Sequence, residues 1–223
     1  MPEVHADFSR AVWLNRDDGA WVASPQGVVE RLMLDRVGDE VAVATSLVRY
    51  APDSRFPAHD HALGEEYVVL EGEFGDEHGR YPAGCYVRNP AGTHHTPFSD
   101  PGCVIFVKLR QFDPKDQRQM VVALPEVGSG TDVTAHELHR FKDEVVTCIT
   151  APAGSRIDLP AGETVQEVLL LDGSAGWGDV TLHRHCWLRL PAGEGISLAL
   201  AADCRLLHKT RPGYAIPKRA SRS

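Results

Sequence analysis

No stretch of this chain approaches the roughly 20 consecutive apolar residues that a membrane-spanning helix needs. The opening residues, Met1 to Asp7, carry acids and no apolar run of the kind found in secretory leaders. A soluble, cytoplasmic protein with no membrane partner is therefore expected. Long amphipathic helices are also missing. Positive charge is short: 23 lysines and arginines stand against 31 acids, for a formal net charge of −8. Nucleic-acid binding needs a basic face, so no nucleic-acid partner is expected. The late cluster of Lys209, Arg211, Lys218 and Arg219 reads as a solvated tail. Cysteine occurs without pattern. Cys85, Cys103, Cys148, Cys186 and Cys204 are odd in number, and no two are spaced Cys-x-x-Cys. That argues against a disulfide framework and against a cysteine-rich zinc knuckle.

What the chain does have is a copy of itself. Shifted by 101 residues, Ser54-Arg55 falls on Ser155-Arg156, Glu66 on Glu167, and Leu70-Glu71-Gly72 on Leu171-Asp172-Gly173. Cys85-Tyr86-Val87-Arg88 falls on Cys186-Trp187-Leu188-Arg189, and Pro90-Ala91-Gly92 on Pro191-Ala192-Gly193. Cys103 falls on Cys204, and Lys108 on Lys209. Shared turn residues and shared apolar positions mean shared backbone. Two units are expected, 1–113 and 131–223, joined by a polar, turn-prone linker over 114–130 that ends in Gly128-Ser129-Gly130.

Each unit reads as all-β. Val41 to Tyr50, Glu66 to Leu70 and Cys103 to Leu109 are rich in β-branched and aromatic residues, and glycine and proline cut such runs at short intervals. Val28 to Asp35 fits a strand or a short helix. Gly75-Asp76-Glu77-His78-Gly79 reads as a polar hairpin. The matched cysteines read as small buried hydrophobes, since a redox role requires a lowered pKa.

Chemistry concentrates in two stretches of the first copy. In Pro57 to Glu66, His59 and His61 are two apart, so along a strand both imidazoles aim the same way. Gly64 permits a turn that returns Glu65 toward them. In Gly84 to His95, a Pro90-x-Gly92 turn can deliver one more imidazole. Imidazoles with one carboxylate suit zinc, iron, manganese or nickel.

Both stretches resemble the two signature motifs of the cupin superfamily. His59, His61, Glu65 and Gly72 match the first; Gly84, Pro90, Gly92 and His95 match the second. That spacing selects His95 over His94 and Glu65 over Glu66. Ser99 stands where the second motif usually carries asparagine. The resemblance implies an all-β bicupin, two tandem double-stranded β-helix (jelly-roll) barrels, with His59, His61, Glu65 and His95 as metal ligands. In the second copy the same positions hold Pro160, Gly162, Gln166 and Ile196, so that barrel is expected to be metal-free. His183, His185 and His208 lie off the ligand positions and are expected to serve solvent or fold roles.

The wording around the motifs is narrower. His-x-His-x-x-Gly-Glu-Glu, the run Val69 to Gly79, Tyr81-Pro82-Ala83-Gly84 and Val87 to Pro90, with Trp21 and Gly27-Val28 upstream, are similar to the cupin-like domain of ChrR-type anti-sigma factors. That resemblance covers about residues 20–112. It implies one divalent metal per chain, zinc first, and a regulatory role in oxidative stress. It also implies a sigma-factor partner, but the family's sigma-binding domain uses a His-x-x-x-Cys-x-x-Cys pattern that does not occur here. Twenty residues are too few for that domain, so sigma binding is not carried over.

Two functions stay open: a zinc-held regulatory module, or a metal-dependent, dioxygenase-like enzyme acting on a small organic molecule at the barrel mouth. Tyr67, Arg88, His94, Phe98 and Lys108 are candidates for the pocket. A homodimer through strand edges is expected by analogy.

Overall fold

A computed structural model describes residues 3–24, 27, 29–38, 42–127 and 131–212. Apart from one short 3-10 turn at Arg16–Asp18, every regular element among these residues is a strand. No helix among them is long and apolar enough to cross a membrane.

The first barrel is built on a sheet ordered Met120–Ala123, Cys85–Asn89, Glu65–Asp76, Cys103–Leu109, Val43–Tyr50, Val29–Val37, Val22–Ala23, with antiparallel neighbours. Short strands complete it: Ser54–Arg55, Phe98–Ser99 and Gly79–Pro82 continue from the far half of Glu65–Asp76, and His59–Asp60 pairs with His94–His95. The second barrel repeats the order with Val12–Leu14, Trp187–Leu190, Val165–Asp172, Cys204–Arg211, Glu144–Ala151 and Thr134–Phe141. Its second sheet holds Arg156–Leu159, Ile196–Leu200, Ala175–Trp177 and Val180–Leu182. The repeated sequence is therefore a repeated jelly roll.

The ambiguous segment after Val28 is the strand Val29–Val37. The strand expected from Val41 runs Val43–Tyr50; Val41 itself, like Val28, Gly128-Ser129-Gly130 and Lys218-Arg219, lies outside the described residues.

Boundaries differ from the simple division into 1–113, 114–130 and 131–223. Met120–Ala123, inside the expected linker, pairs with Cys85–Asn89 and belongs to the first sheet. Val12–Leu14, ahead of the first barrel, pairs instead with Trp187–Leu190 in the second. Each barrel thus receives on its edge the strand that precedes the other. A paired edge satisfies backbone donors and acceptors that would otherwise lie open, and here each barrel caps its neighbour.

Side-chain alternation sorts residues between two faces. In the first barrel Tyr67, Val69, Val87, Cys103, Ile105 and Val107 point into the barrel. Their neighbours Val68, Leu70, Tyr86, Val104 and Phe106 point the other way, into a cluster that also takes Leu169, Leu171, Trp187 and Leu207 of the second barrel. That shared core joins the barrels.

Charge is buried in the same interface. Glu66 accepts from Tyr86 Oη at 2.7 Å, Arg88 Nη1 at 2.9 Å and Lys209 Nζ. Glu167, its match in the repeat, accepts from Trp187 Nε1 at 3.1 Å, Arg211 Nε at 2.7 Å and Lys108 Nζ at 2.5 Å. Each lysine crosses to the other barrel's glutamate. Lys209 and Arg211 are therefore buried strand residues and not a solvated tail.

Candidate metal centre

The site begins with a two-residue ladder. His95 is paired directly with His59, so the two imidazoles share a face, with ring centroids 4.8 Å apart. His94, paired with Asp60, takes the opposite face and is exposed. His61 lies two residues beyond His59 and returns to the same side, its ring centroid 5.3 Å from His59 and 4.5 Å from His95. Backbone bonds hold it there: His61 N donates to Thr93 O at 2.8 Å, and Gly92 N donates to His61 O at 2.9 Å.

Glycine is required at the next turn. Gly64 sits at φ +79°, and a Cβ there would collide with the Phe112 ring. The turn delivers Glu65 to the first position of its strand, facing inward, while Glu66 faces the other barrel. Glu65 Oε2 lies 3.2 Å from His61 Nε2 and 3.5 Å from His95 Nε2. One ligand atom from each of His59, His61, Glu65 and His95 lies within 4.8 Å of all the others.

Hydrogen bonding orients the three rings alike. Nδ1 of His59 meets Pro57 O at 3.1 Å, Nδ1 of His61 meets Thr93 Oγ1 at 2.9 Å, and Nδ1 of His95 meets Asp76 Oδ2 at 3.2 Å. Thr93 Oγ1 donates to Pro90 O at 2.8 Å, so toward His61 it accepts. Acceptors at Nδ1 place the proton there and leave Nε2 as a lone pair. His61 Nε2, His95 Nε2 and Glu65 Oε2 are buried and have no hydrogen-bond partner. Buried polar atoms left this way are costly, and three of them converge here.

Electrostatics agree. Burial, then the neighbouring His95 and His59, pushes His61 down to about 3, and burial also lowers His59. Burial raises the Glu65 carboxyl. The lowered His59 and His61 imidazoles, with His95 and the raised Glu65 carboxyl, form a donor set suited to a divalent cation. The residues present therefore fit the metal that the sequence implies.

The sequence reading missed Asp76 and Thr93. The hairpin reading of Gly75 to Gly79 accounts for half of Asp76: its Oδ1 accepts from His78 N at 2.8 Å and Gly79 N at 3.1 Å. Its other oxygen holds His95. No local spacing announces that contact.

A cavity of about 230 Å³ opens onto the cluster. His59, His61 and Glu65 form one wall, and Val48, Tyr50, Phe56, Ile105, Val107 and Leu109 supply apolar surface. None of the five residues expected in the pocket lines it. Tyr67 is packed in the barrel core. Arg88 and Lys108 lie one residue out of phase with the inward face and serve the interface. His94 is exposed, and Phe98 lies outside the cavity beneath Arg55 and Arg80. Instead Arg31 and Arg110 line the cavity.

The second barrel uses the equivalent positions for packing. Gln166 Nε2 donates to Pro160 O at 2.8 Å and Glu194 O at 2.9 Å, and Ile196 joins an apolar core. His208 bonds Gln166 at 2.9 Å, and His185 meets Arg16 at 2.9 Å. A second acid–histidine grouping, Asp116, His139 and Glu144, lies between the barrels. There Arg88 already bridges Asp116 at 2.7 Å and Glu144 at 2.8 Å, so the cation in place is a guanidinium. The cysteines are free, and burial raises the thiols of all five repeat-matched and unmatched positions, Cys103 to about 11 and Cys186 to about 12.

Two tandem jelly rolls, one carrying the two-motif His-and-Glu cluster, give this chain a bicupin fold. More narrowly, residues 9–113 match the ChrR cupin-like domain. No curated protein matches the chain by sequence. Solved structures show the same fold along nearly its whole length. A putative dioxygenase from Nostoc punctiforme PCC 73102 aligns with a TM-score of 0.73 at 12% identity, over 93% of this chain and 86% of that one. Bacterial pirin YhhW from Escherichia coli, in complex with nickel(II), aligns with a TM-score of 0.69 at 15% identity, over 92% of this chain and 100% of that one. Salicylate 1,2-dioxygenase from Pseudoaminobacter salicylatoxidans, in complex with gentisate, aligns with a TM-score of 0.67 at 10% identity, over 92% and 82%.

Proposed function

We propose that this chain is a metal-dependent enzyme of the dioxygenase-like cupin kind. A divalent ion is held by His59, His61, Glu65 and His95, and a small organic substrate occupies the cavity beside it. One observation carries the reading: the unpartnered atoms of His61 and Glu65 belong to residues that wall a cavity, whereas a structural zinc site is closed on all sides. Three imidazoles and one carboxylate leave open positions on iron(II), manganese(II) or nickel(II), and such an ion supplies Lewis-acid or redox chemistry. The protein's part is to fix the donor set through Asp76, Thr93 and Pro57, and to hold a substrate against it in an apolar space. The fold likeness to two dioxygenases and to a nickel-bound pirin supports this reading at the level of architecture.

The match of residues 9–113 to the ChrR cupin-like domain favours a second reading, a zinc-held regulatory module in the cytoplasm.

Elemental analysis separates them. The enzyme reading expects about one equivalent of iron, manganese or nickel per chain. His61→Ala and His95→Ala bring that close to zero, and His94→Ala keeps it. Iron(II)-loaded protein is then offered small aryl and alkyl carboxylates and ketones in an oxygen electrode, and uptake is expected with at least one. Stoichiometric zinc, no uptake with any metal, and zinc release by hydrogen peroxide would sink the enzyme reading in favour of the module.

A further inference from the structure

Arg31 stands at an odd place for a charge. It lies in the strand Val29–Val37, directly paired with Val48, which is paired in turn with Ile105 and that with Val69. Val48, Ile105 and Val69 all face the barrel interior. Among these paired residues only Arg31 carries a charge, and it lines the cavity. Arg110 lines it from the other side of the turn at Gly64, held by a bond from its own N–H to Gly64 O at 2.9 Å. Its φ is +61°, the left-handed region that residues with a Cβ avoid and that persists where the surroundings impose it. Both residues are half-buried, and among the described residues neither guanidinium lies within ion-pairing distance of a carboxylate.

The repeat provides a contrast. Arg211 occupies the position 101 residues after Arg110, and there the guanidinium is buried and ion-paired to Glu167 at 2.7 Å. In the barrel that carries the His-and-Glu cluster, the same residue type is kept but lines the cavity. The acids that face this cavity are Glu65, a member of the cluster, and Asp60, which is exposed at the rim. With a dication on the cluster, positive charge is in surplus within walls of Val48, Tyr50, Phe56, Ile105, Val107 and Leu109. Such a space favours an anion with an apolar body. A guanidinium fork fits a planar carboxylate through two parallel hydrogen bonds.

We infer that the site takes a small carboxylate with an apolar or aromatic body, its carboxylate held by Arg31 and Arg110 and its far end presented to the His59–His61–Glu65–His95 cluster. The inference rests on the enzyme reading for what happens at the cluster, but the two arginines recognise the anion whether or not metal is bound.

The test uses benzoate and its uncharged isostere benzamide as probes, titrated calorimetrically into the full chain, with and without metal. Benzoate is expected to bind at least about tenfold tighter than benzamide, the ratio that one charge-assisted bond supplies. Arg31→Gln and Arg110→Gln each weaken benzoate about tenfold and leave benzamide within about twofold, and Arg31→Lys restores part of the loss. The wild-type comparison needs no variant, so a misfolded variant does not decide the matter. Equal affinity for the two probes, no benzoate binding at millimolar concentration, unchanged binding in the double variant, or phenyl phosphate binding tighter than benzoate would each overturn the assignment. A chain that takes up no metal yet keeps the benzoate preference would sink the enzyme reading and leave the carboxylate site standing.

Discussion

Asp76 serves two structures with one carboxylate. Oδ1 closes the hairpin to His78 and Gly79, and Oδ2 orients His95. Burial works to raise this acid, but the bonds from His95, His78 and Tyr81 outweigh it and hold it below its ordinary value. Outer-shell acceptors of this kind typically change metal affinity by about 10–100-fold when altered. Asp76→Asn retains an oxygen for the hairpin but loses the charge that supports the imidazole. Its metal affinity, measured by chelator competition, is expected to fall within that range while the metal-free melting temperature stays close to wild type. An unchanged affinity would show that His95 is oriented by packing alone. At this scale the grouping of His59, His61, Glu65 and His95 was legible in the sequence, because each motif spans only a few residues. Asp76 was not, because it stands 19 positions from His95 along the chain, with strand and turn between them.

Among the strands, the glycines of the repeat explain themselves by two different physics. Gly72 and Gly173 both have positive φ, and each lies two residues after the point, Leu70 or Leu171, where the ladder beside the Cys103–Leu109 or Cys204–Arg211 strand slips register. A Cβ at Gly72 would strike Gly102 O, and one at Gly173 would strike Asp203 O. Gly92 and Gly193 also have positive φ, but a Cβ there meets nothing within 4 Å. Gly72→Ala is therefore expected to destabilise by roughly 2–4 kcal/mol, strain plus overpacking, and Gly92→Ala by only about 1 kcal/mol. Thermal or urea melts compare them, and equal losses would mean that backbone strain alone explains these glycines. The strands themselves were readable from alternation and β-branched runs. Their destinations were not: nothing in Val12–Leu14 or Met120–Ala123 says that each will dock on the barrel it does not precede.

Taken as a whole, the molecule is held by an apolar core wrapped around crossed ion pairs. Burial raises Glu66 and Glu167, but Lys209 and Arg88 for the first, and Lys108 and Arg211 for the second, more than reverse it. Both carboxyls are thus held well below the ordinary 4.5. A depressed carboxyl contributes stability that is present above its unfolded value and lost as pH falls toward the folded one. His208 adds to the same slope, since burial pushes it to about 4 from 6.5 and the unfolded chain takes up that proton first. Stability is expected to decline gently below pH 6.5 and steeply below pH 4.5, followed by denaturant midpoints across pH. Lys108→Met leaves Glu167 buried with Arg211 as its remaining cation and is expected to cost about 3 kcal/mol. Adding Glu167→Gln should recover most of the loss. If the double variant were no better than the single, the lysine would be acting through packing and not charge.

The sequence by itself determined that there are two barrels and that His59, His61, Glu65 and His95 come together in one of them. These depend on spacing, turn residues and a period of two, which are properties of neighbouring residues along the chain. Only the tertiary structure decided what the matched charges do. Glu66, Arg88 and Lys108 lay in plain view as repeat markers, and Arg88 and Lys108 were read as pocket residues until the barrels met face to face. Arg31 gave no sign of turning inward. Which charge is neutralised and which is left facing a cavity depends on surfaces brought together from more than 50 residues away, as in the Lys108–Glu167 pair separated by 59. No local pattern carries that information.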